Sequence, residues 1–303
     1  MVNIFISGIS GWMGRSAILA SREFTSKEIK FYGFGSKEKK FSLHNQETYE
    51  SQSLSKISHK YDLDVDLFLP FAFLTQEKVS SLGDTSYEKV NLEILNLTLN
   101  FIEKNRPHKV INLSSGVVSK ITQKQKITGA YELYRKLKQI QEDKLEELCT
   151  KLSIPLVTCR VFSVTGIEVQ DPFKYAFSNI LIQSNKGKDI HLASKGSVFR
   201  RYVDAVDLIH ILLKLANDNM TCKFESGGEK VEIFELTRII QSELRLDGRR
   251  IILAQDSSSI YDDYFSRENS TEKYAERYGV TLKSLSQQIR NTFQAPSIQR
   301  VLA

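Results

Sequence analysis

The sequence predicts an α/β fold: a doubly wound parallel sheet accompanied by a smaller α+β lobe that is discontinuous in the chain. Three observations carry this expectation. Through about residue 115, short apolar runs alternate with amphipathic stretches of helical period, the mark of repeated strand-helix units and hence of parallel strands. A glycine-spaced loop joins the first apolar run to the first amphipathic stretch. Beyond Gly166 the pattern breaks into shorter, mixed pieces.

Strands are expected at Asn3–Ser7, Ile29–Gly33, Asp66–Leu69, Lys109–Leu113 and Leu156–Val161. Helices are expected at Trp12–Arg22, Tyr87–Lys104 and Ala130–Leu152, each with apolar residues three and four apart and polar residues on the other face. In the second part, Asp171-Pro172 opens a helical stretch to Ser184, Asn185-Lys186-Gly187-Lys188 makes a polar turn, and a short strand follows near Ile190–Ala193. Val206–Ala216 reads as a helix returning to the first domain, and Ile233–Leu244 and Leu282–Phe293 as further helices. The expected division is residues 1–165 with about 197–225 as one domain, and about 166–196 with 226–303 as the lobe.

Composition bounds the function. At 303 residues, 41% hydrophobic and only five prolines, the chain can bury a large core and has no disordered tract. Three widely spaced cysteines, Cys149, Cys159 and Cys222, form neither a disulfide framework nor a zinc pattern, so no metal is expected. The net charge of +6 is interleaved with acidic residues, which argues against nucleic acid and fits a phosphate-bearing small molecule. The apolar stretch Leu67–Leu74 is far shorter than the roughly 20 residues of a membrane helix, so no membrane insertion is expected. With no leader-like segment before the strand Val2 to Ile6, a cytoplasmic location is expected.

The loop reads Ser7-Gly8-Ile9-Ser10-Gly11-Trp12-Met13-Gly14-Arg15 and leads straight from strand to helix. Gly8 permits the tight turn, Gly11 lets backbone approach a pyrophosphate, Gly14 lets helix and strand pack closely, and the helix N-terminus presents unpaired N–H groups. This context predicts a Rossmann-type dinucleotide site lined by Gly8, Ser10, Gly11, Trp12, Met13, Gly14 and Arg15. At the tip of the second strand, Gly33-Phe34-Gly35-Ser36-Lys37 offers no carboxylate before Glu38. Ser36 and Lys37, helped by Arg15, would take a 2′-phosphate, which favours NADP(H) and leaves NAD(H) as the alternative.

The strand Lys109–Leu113 runs into Ser114-Ser115-Gly116, and the following helix contains Tyr134-Arg135-Lys136-Leu137-Lys138. Tyr134 and Lys138 lie one turn apart on one helix face. An ammonium there lowers the pKa of the phenol and makes it a usable general acid or base, while a serine at the strand end can bond the reacting oxygen. Tyr131 with Arg135 has the same spacing, and Ser114 competes with Ser115.

Taken with the glycine loop and the Tyr134/Lys138 pair, other segments give the chain a resemblance. They are Asn91 opening Asn91-Leu92-Glu93-Ile94-Leu95-Asn96, the stretch Arg160-Val161-Phe162-Ser163-Val164-Thr165-Gly166, and Arg200-Arg201-Tyr202-Val203-Asp204. Over nearly its whole length the chain resembles the NAD-dependent epimerase/dehydratase family, the extended branch of the short-chain dehydrogenases/reductases. The resemblance implies that Ser115 orients a sugar carbonyl, Tyr134 exchanges its proton, Lys138 binds the nicotinamide ribose and Arg200 holds the diphosphate of a nucleotide-sugar substrate. It adds Phe71, Ala72, Asn91 and Phe162 to the cofactor contacts and Ser163 to the substrate contacts. A homodimer is common in the family, although no feature of this chain encodes one. The chain also departs from the pattern: a His-Leu-Ala-Ala-like stretch is replaced by Leu69-Pro70-Phe71-Ala72-Phe73, no aspartate follows the third strand near Glu50–Ser53, and Ser163 stands for an asparagine.

Three family reactions compete. A 4,6-dehydratase uses an Asp-Glu pair directly after the catalytic hydroxyl residue, and Gly116-Val117 cannot transfer protons. A 4-epimerase with tightly held NAD and a ketoreductase with exchangeable NADPH both need only Ser115, Tyr134 and Lys138. The missing carboxylate after the second strand favours the reductase, similar to 4-keto-sugar reductases of bacterial surface-polysaccharide and O-antigen pathways. A non-catalytic NADP-binding regulator is the reading from another class.

Overall fold

The computed structural model describes residues 1–119, 129–187, 189–192, 198–246, 250–253 and 264–303. Along the chain run β1 (Val2–Ser7), α1 (Trp12–Ser21), β2 (Ile29–Gly35), β3 (Lys39–Ser42), β4 (Thr48–Ser53), β5 (Leu67–Pro70), α2 (Val79–Leu82), α3 (Asp84–Asn105) and β6 (Val110–Ser115). Then come α4 (Ala130–Lys151), β7 (Leu156–Val161), β8 (Ser163–Thr165), α5 (Ala176–Asn185), β9 (Ile190–Leu192), β10 (Phe199–Asp204) and α6 (Ala205–Asn217). The rest supplies β11 (Cys222–Glu225), β12 (Glu229–Glu232), α7 (Ile233–Glu243), β13 (Ile251–Leu253), α8 (Ser270–Tyr278), α9 (Leu285–Phe293) and α10 (Pro296–Leu302).

Met1–Val161 with Ile209–Glu225 forms one compact unit. Its eight strands lie in the order β11-β7-β6-β5-β1-β2-β4-β3, parallel throughout except for the β3–β4 pair. This is the expected doubly wound sheet, and its inner strands are apolar runs because helices cover both faces. Phe5 of β1, Phe34 of β2, Phe68 of β5 and Phe101 of α3 pack with Ile102 and Leu145 into one buried cluster. Ser7, Phe34 and Pro70 stand opposite one another where β1, β2 and β5 end, which brings the loops after all three strands to the same edge.

Beyond α2 and β11, which had no counterpart in the sequence pattern, two departures bear on the site. β6 continues through Ser115 because all six of its residues stay buried. Between β2 and β4 the chain makes an antiparallel β3–β4 hairpin, with Phe41 buried between exposed Lys40 and Ser42 in a period of two. Cys149 and Cys159 are buried inside this unit, and burial pushes the Cys149 thiol up to about 12, so it behaves as an inert small hydrophobe.

Phe162–Leu208 with Ser226–Ala303 forms the other unit. β12, β10 and β8 make a three-stranded sheet, and β13 pairs with β9. The boundary read from sequence gave residues 197–208 to the first domain, whereas β10 pairs with Ser163–Thr165 and with Glu229–Glu232, which sets that segment in the second unit. Ala193, the expected end of β9, lies outside the described residues. Lys283 pins α9 to the end of β10 by pairing with buried Asp204 at 3.3 Å and with Asp207, and Asn291 donates to Asp204 at 2.8 Å. Burial, then the adjacent Asp204 charge, pushes the Asp207 carboxyl up against this pairing. Among the described residues no helix is long and apolar enough to cross a membrane, and no cluster of His, Cys, Asp and Glu is placed to hold a metal.

Candidate active site

The first unit builds a loop that fits a dinucleotide. Gly8 adopts φ +74°, and a Cβ on it would lie 2.9 Å from the Ala72 backbone nitrogen. At Gly14 a Cβ would meet the Gly8 carbonyl oxygen at 2.4 Å, so α1 packs on the turn backbone to backbone. Helix α1 starts at Gly11 with no side-chain cap and no acidic residue in its first turn. Its N–H groups and dipole are therefore directed at whatever anion occupies the turn, and the donor set fits a pyrophosphate. Trp12 is buried and Met13 half-buried at the start of this helix. Phe71 and Ala72 follow β5 beside the loop, their N–H groups donating to the carbonyl and hydroxyl oxygens of Ser7 at 3.1 and 3.2 Å.

At Gly11 a Cβ would meet the Gly8 carbonyl oxygen at 3.2 Å, a far milder contact than the 2.4 Å approach at Gly14, needing a shift of a few tenths of an ångström. Gly11→Ala is therefore expected to fold with a melting temperature close to that of wild type, yet to bind a nicotinamide dinucleotide at least tenfold more weakly, because the added methyl stands where backbone must approach a phosphate. Fluorescence titration checks this, and unchanged affinity would remove the loop from the binding site.

The end of β2 supplies exposed Ser36 and Lys37. Gly35 lies close to the loop: a Cβ there would be 3.7 Å from Ser10 Oγ. Arg15 reaches from α1 to the hairpin, donating from Nε to the Ser10 carbonyl at 2.9 Å and from Nη1 to the Ser42 carbonyl at 2.6 Å, with its guanidinium 4.8 Å from the Phe41 ring centre. Sequence reading missed this anchor because it missed the hairpin; the period-two pattern around Phe41 was the available signal.

On α4, Lys138 is 6% exposed and donates from Nζ to the Leu113 carbonyl at 3.0 Å and to Gln141 Oε1 at 2.9 Å. The Nζ also lies 3.9 Å from the Phe73 ring centre, and the same ring meets Tyr134 edge-on at 5.7 Å and 75°. Burial pushes the Lys138 ammonium down to about 7, opposed by the charge of Glu142. The rival pair separates cleanly: Tyr131 is exposed, and Arg135 is held by Glu132 through Nε at 3.0 Å and Nη2 at 2.5 Å. Ser115, at the end of β6, is 6% exposed and accepts from the Val117 N–H at 3.3 Å, capping a short turn at Gly116–Val118. Its neighbour Ser114 is buried to a similar degree.

Asn91 is buried on α3 and clamps the segment after β5, accepting from the Leu74 N–H at 2.9 Å and donating to the Leu74 carbonyl at 3.3 Å, where Tyr87 also donates at 2.7 Å. Phe73, Gln141 and the Leu113 carbonyl were not singled out from sequence, since nothing in their spacing marks them as partners of Lys138.

In the second unit, Ser163 opens β8 opposite Tyr202. Phe162 donates its N–H to Ser226 Oγ at 2.9 Å and packs its ring on Tyr264 at 5.0 Å. Arg200 lies over the same Tyr264 ring at 5.6 Å and donates to the Phe199 carbonyl at 2.8 Å. Tyr264 is a partner the sequence did not reveal.

Comparison with known proteins places these features. Residues 4–223 match the model of the NAD dependent epimerase/dehydratase family. No curated protein matches the sequence. Among solved structures, UDP-glucose 4-epimerase from Thermotoga maritima with UDP-glucose superposes with a TM-score of 0.70 at 17% identity, covering 100% of both chains. UDP-glucuronic acid 4-epimerase from Bacillus cereus in complex with NAD gives 0.68 at 16%, covering 99% of this chain and 97% of that one. RMD from Pseudomonas aeruginosa complexed with NADPH gives 0.73 at 14%, covering 100% and 99%. At these identities the likeness is one of fold.

Proposed function

The chain belongs to the NAD dependent epimerase/dehydratase family, and from that premise we propose that this NAD(P)-dependent enzyme is an NADPH-dependent reductase of a nucleotide-linked keto-deoxysugar, of the kind used in bacterial surface-polysaccharide synthesis. The unit Met1–Val161 with Ile209–Glu225 is assigned to the dinucleotide and the unit Phe162–Leu208 with Ser226–Ala303 to the substrate. This reading puts the enzyme in the cytoplasm.

One observation carries the choice of reductase. The end of β2 bears Ser36 and Lys37 with no carboxylate, and Arg15 is anchored between the glycine loop and the adjacent hairpin, so the groups there suit a 2′-phosphate and would leave ribose hydroxyls without an acidic partner. When bound, the nicotinamide supplies the hydride. The side chains do the rest. Tyr134 donates the proton to the nascent alkoxide, Lys138 stabilises the phenolate left behind, and Ser115 orients the carbonyl oxygen. Lys138 also holds the nicotinamide ribose. Arg200 binds the diphosphate, Phe162 adds to the cofactor contacts and Ser163 to the substrate contacts.

The same three catalytic side chains serve a 4-epimerase, whose NAD stays bound through turnover. Cofactor content separates the two. Nucleotide released from purified protein should be substoichiometric, and NADPH should bind at least tenfold more tightly than NADH, an advantage that Lys37→Ala reduces. Stoichiometric, non-exchanging NAD would overturn the reductase in favour of the epimerase.

A further inference from the structure

We propose that Phe73 sets the dinucleotide affinity of this site by competing, through its ring face, for the Lys138 donor that a ribose hydroxyl takes. This rests on the reading above, in which Lys138 holds the nicotinamide ribose.

An ammonium has three N–H donors and no acceptor. On Lys138 one is directed to the Leu113 carbonyl at 3.0 Å and one to Gln141 Oε1 at 2.9 Å. The third direction is covered by the Phe73 ring, whose centre is 3.9 Å from Nζ, well inside the roughly 6 Å reach of a cation–π contact. The first two partners are fixed, because Leu113 is a buried strand residue and Gln141 is 4% exposed one turn along the same helix. Phe73 is the partner that can yield.

Its backbone is pinned on both sides. Ala72 donates to Ser7 Oγ, and Leu74 is clamped by Asn91 and Tyr87. The ring also packs against the cluster of Val79, Tyr87 and Leu137, so displacement turns one aromatic side chain out of that packing while the backbone stays in place. The ring also meets Tyr134 edge-on, so the same rotation uncovers both catalytic groups. The aromatic side chain at position 73 makes binding contend with a contact already formed.

The test is NADPH and NADH titration of wild type, Phe73→Leu and Phe73→Tyr, followed by fluorescence. Leucine keeps an apolar side chain of smaller volume and removes the π face; tyrosine keeps the face. Phe73→Leu should bind NADPH about fivefold more tightly than wild type, as expected from losing one partly buried cation–π competitor, and Phe73→Tyr should match wild type. If the leucine variant binds equally or more weakly, or if tyrosine behaves like leucine, the competition does not exist and Phe73 only packs. Should wild type bind neither nucleotide, the parent reading itself fails, and that is visible before any variant is made. Phe73→Met replaces the leucine variant if leucine lowers the melting temperature.

Discussion

Tyr134→Phe is expected to lower turnover of an accepted keto-sugar nucleotide by about a thousandfold while leaving NADPH affinity within about twofold of wild type. In the proposed mechanism the phenol gives the proton, and phenylalanine keeps the ring on α4 while removing only the hydroxyl. Lys138 stays buried with its bonds to the Leu113 carbonyl and Gln141, so cofactor binding should survive. The loss therefore falls on kcat, since the proton is transferred only in the transition state. Progress curves of NADPH oxidation over a panel of keto-sugar nucleotides measure it. Turnover within tenfold of wild type would move the acid role off Tyr134. Tyr131 could not inherit it without a new partner, because the basic residue one turn on, Arg135, is already engaged by Glu132.

Much of this arrangement was legible because it rests on short-range rules. The glycine loop was readable since Gly8, Gly11 and Gly14 each answer a steric need of a strand–turn–helix junction, and that need is local. The pair Tyr134/Lys138 was readable since helical period fixes which residues share a face. The preference for Tyr134 over Tyr131 needed more, because it depends on Glu132 capturing Arg135 and on Lys138 being buried against β6. The hairpin β3–β4 escaped since its strands are only four and six residues long and the period-two pattern around Phe41 spans a few positions. β10 was assigned to the wrong unit for a related reason: its partners Ser163–Thr165 and Glu229–Glu232 are remote in sequence, and pairing at that distance leaves no local trace. Phe73, Gln141 and Tyr264 matter through contacts that span the chain, and no spacing announces such contacts.

The largest stability effect is expected at Glu142, one turn beyond Lys138 on α4. Its side chain is fully buried and receives two bonds from Arg160, Nε to Oε1 at 2.9 Å and Nη2 to Oε2 at 2.7 Å, with Lys223 Nζ 3.5 Å away. Burial alone would raise this carboxyl. The Arg160 hydrogen bonds and the charges of Arg160 and Lys223 outweigh it and hold the carboxyl below the usual range. Removing the carboxylate leaves Arg160, whose side chain is 17% exposed, without its bidentate partner and with the charges of Glu225 and Asp143 to offset it, so Glu142→Ala should cost about 3 kcal/mol. At about 2–4 °C per kcal/mol for a large domain, that lowers the melting temperature by on the order of 10 °C. A double variant, Glu142→Met with Arg160→Met, should recover most of the loss, since it removes both charges and refills the space. The pH dependence has a definite sign. A carboxyl depressed in the folded state contributes stability above its unfolded value and loses it as pH falls through the folded one. The gap between wild type and Glu142→Ala in thermal melts should therefore be full at neutral pH and close on acidification below the ordinary carboxylate range. A gap independent of pH would mean that Glu142 serves by packing alone. Glu142 also opposes the burial that pushes Lys138 down, so the variant should leave a lysine that loses its charge at lower pH, which couples the buried Glu142–Arg160 pair to the charge state of Lys138.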